Sequence, residues 1–119
     1  MKERLTRELM ALRAACELKS GQVVNSGFGI PTLVSNYLTD WMDITLHSEN
    51  GLLGFGPESD DETFEPDLVN ASGVPVTLFP GGVAISHIDA FGIVRSGKLD
   101  IAILGAMQVS EAGDFSNWL

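Results

Sequence analysis

Cysteine occurs once, at Cys16, so no disulfide can close within the chain, and a lone cysteine fits a reducing compartment. Basic residues are scarce: seven Lys and Arg face sixteen Asp and Glu. Five of those seven bases (Lys2, Arg4, Arg7, Arg13, Lys19) lie in residues 1–19 against three acids, and the remainder carries Arg95 and Lys98 against thirteen acids. Nothing in this balance gives the basic footprint that nucleic acid requires, so no nucleic-acid partner is expected. No apolar run approaches the ~18 residues of a membrane helix. The charged start, Met1-Lys-Glu-Arg-Leu-Thr-Arg-Glu, lacks the apolar core of a signal peptide. The reading is a cytoplasmic protein with no membrane partner. The two histidines, His47 and His87, have no second ligand at metal spacing, so no metal site is expected.

What is present is the composition of a folded domain. Apolar residues make up 45% of 119, enough for one core and one domain over 1–119. Leu5, Leu9, Leu12 and Cys16 draw one stripe on a helix, on which Cys16 is a small core hydrophobe. Lys19 suits the end of that helix and Gly21 its stop. Gln22–Asn25 reads as a buried strand. Gly27–Thr32 is a turn, with Pro31 opening a second helix through Leu33, Val34, Tyr37 and Leu38. Asp43–Ser48 is a second strand. Strand, turn, helix, strand is a βαβ unit, and its strands are parallel.

Residues 54–75 read as a loop, with six acids between Glu58 and Asp67 forming a solvated segment rather than a calcium loop. Val76–Phe79 is a third strand, ended by Pro80-Gly81-Gly82. Ser86 caps a helix whose inner face includes Ile88, Phe91 and Val94, with Gly97 near its stop. Leu99–Leu104, nearly unbroken in apolar residues, suits a strand covered on both faces. The class is α/β: an open, mainly parallel sheet with flanking helices. Ligands of such sheets bind beyond the carboxyl ends of the strands, where Asn25, Glu49 and Gly105 fall. The ending, Asn117-Trp118-Leu119, has no linker character, and the expectation is a domain incomplete at its C-terminus.

Two stretches invite chemistry. Gly27-Phe-Gly-Ile-Pro-Thr32 approximates a dinucleotide fingerprint, and Glu49 lies twenty residues past Gly29, near where a ribose-binding acid belongs. Thr32 replaces the third glycine, and a plain turn that starts a helix fits as well. Either way, a glycine turn opening a helix offers backbone N–H groups to an anion or oxyanion. Ser48-Glu49-Asn50-Gly51 is the second stretch. Asn-Gly between apolar runs signals a hairpin, which makes Glu49 a solvated turn flank. The alternative is a tight bend that holds Glu49 over the sheet edge as a nucleophile. Ser48 is no nucleophile elbow, because Leu46 stands where glycine is needed.

Four stretches together, Val24–Thr32, Ser48–Gly51, Asp67–Ala71 and Asp100–Val109 with Asn117-Trp118, give the chain a specific likeness. In this order and spacing it resembles the β subunit of a class I coenzyme A transferase, the group of 3-oxoacid (acetoacetate or succinyl) CoA-transferases. The resemblance implies that Glu49 is the catalytic nucleophile of ping-pong transfer through a glutamyl-CoA thioester. It implies Asn25, beside Gly27 and Gly29, as an oxyanion donor, with Asn50 and Gly51 shaping the turn that aims Glu49 into a shared cleft. Coenzyme A is then a substrate and no cofactor is bound permanently. The implied partners are an α subunit, an acyl-CoA and a carboxylic acid, in a homo- or hetero-oligomer. Family β subunits continue past the Asn-Trp element, so the isolated chain is expected to lack activity. Ser26, Gly81-Gly82-Val83 and Ser96-Gly97-Lys98 depart from the family pattern, which bears on the acid substrate. The other reading is a nucleotide- or ligand-binding βαβ module without covalent catalysis.

Overall fold

In the computed structural model, which describes residues 4–118, the first element is a capped helix. Lys2 of the basic segment and Leu119 lie outside the described residues. Thr6 Oγ1 accepts the Leu9 N–H at 3.2 Å and opens α1, Arg7–Ala15. The inward stripe of α1 is not the leucine stripe. Ala11 and Ala15 are buried, with Ala14 and Leu18 packed beside them, while Leu5, Leu9, Leu12 and Cys16 are exposed. Small residues let the helix lie close against its neighbour, the 3₁₀ helix Ile30–Tyr37, and the bulkier leucines are left outside. The helix also ends before Lys19, at Ala15, with Cys16 as its cap.

The sheet follows. Strands β1 (Val23–Ser26), β2 (Thr45–Ser48), β3 (Leu52–Glu58), β4 (Val76–Ala84) and β5 (Ile101–Ile103) are ordered β4-β3-β2-β1-β5. β1 pairs parallel with both β2 and β5, β2 pairs antiparallel with β3, and β3 antiparallel with β4. Four strands therefore run one way and β3 alone runs against them. The class is α/β with a mainly parallel direction, as the βαβ pattern requires. The crossover from β1 to β2 is 3₁₀ rather than α. Thr32 Oγ1 donates to the Gly29 carbonyl at 2.7 Å and Ser35 Oγ to the Thr32 carbonyl at 3.0 Å, both three residues back, which favours the tighter winding.

Alternation along the strands sets the two faces. Val24 and Leu46 are fully buried in one cluster with Ala11, Ala15, Val34, Leu38 and Phe55. Their neighbours Asn25 and His47 point to the opposite face. There the second α-helix, α2 (His87–Arg95), meets the sheet at Ala90, its only buried residue. Ser86 caps α2 by accepting the Asp89 N–H at 3.1 Å.

Several sequence expectations change here. β3 and β4 form a hairpin through residues read as loop, and β4 runs through Pro80-Gly81-Gly82 instead of stopping. Register shifts between Leu53 and Glu58 absorb the glycines that made this segment look unsuitable as a strand. Ile88 and Val94 of α2 are exposed, and Phe91 is half-buried. The Leu99–Leu104 run yields only a three-residue edge strand, with Ala102 and Leu104 exposed. Beyond it, β6 (Gln108–Val109) and β7 (Phe115–Ser116) form a small separate ribbon. Among the described residues, no helix is long and apolar enough to cross a membrane.

Candidate active site

The parallel strands β2, β1 and β5 end along one edge of the sheet, at Ser48, Ser26 and Ile103. Register pairs Val24 with Leu46 and Asn25 with His47, so the continuation sets Gly27 beside Glu49. Adjacent strands stand ~4.8 Å apart, which fixes the scale of this edge. Glu49 is half-buried there. Among the described residues its carboxylate forms no ion pair; the one such pair joins the exposed side chains of Arg13 and Glu17 at the end of α1.

The turn that carries Glu49 is a hairpin and a strand end at once. Ser48 pairs with Leu52 and His47 with Leu53, so β3 returns antiparallel after only Glu49, Asn50 and Gly51. The two readings of Asn50-Gly51 are therefore compatible: the chain reverses, yet Glu49 stays at the carboxyl edge of a parallel strand. The turn is fastened from both sides. Ser48 Oγ donates to Asn50 Oδ1, and Asn50 Nδ2 donates to the Val69 carbonyl at 2.7 Å. Gly51 has φ +116°, and a Cβ there would fall against the Ile85 carbonyl oxygen, well inside contact distance. Its own carbonyl accepts the Ile85 N–H at 2.8 Å. Glycine is needed because the β4–α2 connection passes directly over it.

Asn25 lies behind this edge, 5% exposed. Its Nδ2 bonds His47 Nδ1 at 2.9 Å, and His47 Nε2 bonds the Ala90 carbonyl at 3.0 Å. A carbonyl only accepts, so Nε2 carries the proton and Nδ1 accepts from the amide. The two contacts hold the His47 ring and the Asn25 amide in place together. One amide N–H of Asn25 is thereby used, and its second N–H and Oδ1 remain. His47, which the sequence offered only as an unpartnered metal ligand, is fully buried and joins β1, β2 and α2. Its signal in the sequence was its place in an alternating run; the register that sets it opposite Asn25 comes from the fold.

The glycine turn is more closed than its sequence suggested. The Gly27 N–H donates to the Ile103 carbonyl at 3.0 Å, and the Gly29 N–H to Ser72 Oγ at 3.0 Å. Neither amide is free for an anion. Gly29 holds φ +85° and ψ −132°, a conformation open essentially to glycine alone. Ser26 faces inward, its hydroxyl donating to the Pro31 carbonyl at 3.0 Å.

The residues that sequence reasoning left without a role are those of the β3–β4 connection. This connection, read from sequence as a loop, contacts the Glu49 turn through the Val69 carbonyl and the glycine turn through Ser72. Two clefts lie away from Glu49. One of about 300 Å³ is lined by Asp43, Thr45, Gly54 and Phe79 toward the amino end of β2. The other, about 200 Å³, lies between Ala11, Pro31, Val34 and Leu104. Among the described residues no three His, Cys, Asp or Glu side chains gather as metal ligands.

Residues 7–119 match the family described as Coenzyme A transferase. The chain is 50% identical over 116 residues to the B subunit of 3-oxoadipate CoA-transferase from Pseudomonas putida, covering 98% of this chain and 54% of that protein. It is 43% identical over 113 residues to the beta subunit of acetate CoA-transferase from Escherichia coli K12, covering 95% and 51% respectively. It is 43% identical over 118 residues to human mitochondrial succinyl-CoA:3-ketoacid coenzyme A transferase 2, covering 99% of this chain and 23% of that one. The chain thus spans about half the length of the bacterial proteins it matches. With the family match running from α1 to the last residue, the chain belongs to the coenzyme A transferase family.

Proposed function

We propose that the protein of which this chain is part transfers coenzyme A between an acyl-CoA and a carboxylic acid, with Glu49 as the nucleophile. One observation carries the reading. Glu49 is a half-buried carboxylate, without an ion pair among the described residues, held in a doubly fastened turn at the carboxyl edge of the sheet, beside the Asn25–Gly29 segment. A carboxylate so placed is less solvated than one in open water, and its position is set in advance.

The chemistry balances without a cofactor. A Glu49 carboxylate oxygen attacks the thioester carbonyl carbon, and collapse of the adduct breaks the C–S bond. The products are an acyl-glutamyl anhydride and CoA thiolate. The thiolate then attacks the Glu49 carbonyl carbon, the C–O bond to the acyl group breaks, and a free carboxylate leaves. Glu49 is left as a glutamyl-CoA thioester, and a second acid reverses both steps. Each attack develops an oxyanion that needs a donor. The remaining Asn25 N–H is the candidate, and His47 holds its amide in place.

The partner is proposed to be an α subunit, since two relatives are named as a B and a beta subunit. CoA is polyanionic and this chain carries a formal charge of −9, so cationic contacts are expected from that partner or from further chain. The acid is proposed to be a short-chain or 3-oxo acid, by analogy with the relatives' names. A cytoplasmic setting is proposed from the single cysteine. The test is mass spectrometry of the longer protein, mixed with its α partner and an acyl-CoA. The expected result is a CoA adduct on the peptide holding Glu49, absent in Glu49→Gln. No adduct in the wild type would favour the ligand-binding module. The same mixture made with this chain is expected to show no turnover.

A further inference from the structure

The β3–β4 connection touches both turns of the candidate site. The Val69 carbonyl accepts Asn50 Nδ2 at 2.7 Å on the Glu49 side. Ser72 Oγ accepts the Gly29 N–H at 3.0 Å on the other side, 3.4 Å from Thr32 Oγ1. Between these contacts stands Asn70, 1% exposed. Its Oδ1 accepts the Ser72 N–H at 2.9 Å and the Val74 N–H at 3.2 Å. Its backbone N–H donates to the Val74 carbonyl and its carbonyl accepts from Gly73, each at 2.9 Å. Main chain and side chain of Asn70 close the loop together, and the Oδ1 contacts to Ser72 and Val74 are the part that a shorter side chain would remove.

From these contacts we infer that Asn70 is a positioning residue. Its side chain makes residues 69–74 a clamp that sets the gap between the Glu49 turn and the glycine turn. The inference rests on the reading of Glu49 as nucleophile. Two observations support it. The loop contacts Asn50 and Gly29 directly, and these flank the reacting edge. Ser72, whose hydroxyl accepts from Gly29, is itself held by its N–H on Asn70 Oδ1. Without the clamp, both turns remain but their separation is no longer set. A displacement of about 1 Å between reacting groups lowers rate by about 100-fold. The loss falls on the placement of the reacting groups, so kcat should fall much more than KM rises.

The experiment uses the longer protein assembled with its α partner, following turnover and the glutamyl-CoA adduct by rapid quench. Asn70→Ala should lower kcat by about 100-fold, with the adduct forming slowly and KM for acyl-CoA within about twofold. Ser72→Ala removes a single hydrogen bond at one end of the clamp and should lower kcat by about tenfold. The double variant should fall no further than Asn70→Ala, since both act through one loop. Wild-type kcat in both single variants, beside a normal adduct in the wild type, would overturn the clamp and leave the nucleophile standing. So would a rise in KM with unchanged kcat, or full additivity in the double variant. If Asn70→Ala does not fold, Ser72→Ala decides alone, and unchanged kcat there overturns the proposal. No adduct in wild-type protein would overturn clamp and nucleophile together.

Discussion

At the scale of single residues, two glycines make the distinction between space and backbone conformation measurable. Gly51→Ala meets both obstacles, with φ +116° and a carbonyl oxygen directly against the new Cβ. The expected loss is about 3 kcal/mol in urea unfolding. Gly29→Ala meets nothing within 4 Å but must hold φ +85°. The expected loss is smaller, about 1–2 kcal/mol. Equal losses would refute this ranking. Asp60 offers a titration test. The Thr63 hydroxyl, at 2.8 Å, and then the Thr63 N–H, at 2.9 Å, hold its carboxyl below the usual range. A lowered folded value stabilises the fold above the ordinary carboxylate pKa, and that contribution fades as pH falls through the lowered value. Thr63→Ala should move the NMR-detected midpoint of Asp60 upward, and an unmoved midpoint would reject the assignment.

At the scale of elements, both α-helices depend on a hydroxyl cap. Thr6→Ala and Ser86→Ala should each cost about 1 kcal/mol, read as a lower melting temperature. Thr6→Ala should also raise the Glu8 carboxyl, which is held below its usual range first by its own backbone N–H and then by the Thr6 hydroxyl. The Ser86 cap was legible, because Ser before an apolar-periodic run with Asp three residues on is a local signal. The burial of these helices was not. Leucine spacing in α1 and Ile88-Phe91-Val94 in α2 point to core faces, yet the buried residues of both helices are alanines. Periodicity finds a stripe, and the closeness of the opposing backbone decides which stripe turns inward. β3 and the continuation of β4 beyond Phe79 escape the sequence for a related reason. Glycines break a strand pattern in sequence, whereas bulges absorb them in a sheet.

At the scale of the whole chain, exposed apolar residues include the outer stripe of α1, Phe28, Trp41, Ile88 on α2, and the 104–118 arm with Leu104, Met107, Val109, Phe115 and Trp118. β5 closes the sheet as an edge with no further partner strand among the described residues. Such surface favours association. Light scattering of this chain alone should show mass rising with concentration, and Ile88→Lys with Val109→Glu should lower it. A monomer at all concentrations would count against this reading.

By itself the sequence determined the α/β alternation, the strand ends where Asn25 and Glu49 stand, and the likeness to coenzyme A transferases. These depend on local period, turn chemistry and short motifs, which survive in one dimension. Only the tertiary structure decided that Asn25 is held by His47, that the Gly27 and Gly29 amides are already engaged, and that Val69 and Ser72 of one connection reach both turns. Each of these joins residues from separate strands, helices or loops. The register of parallel strands and the path of a returning connection bring such partners together, and neither is written in the spacing of the residues it joins.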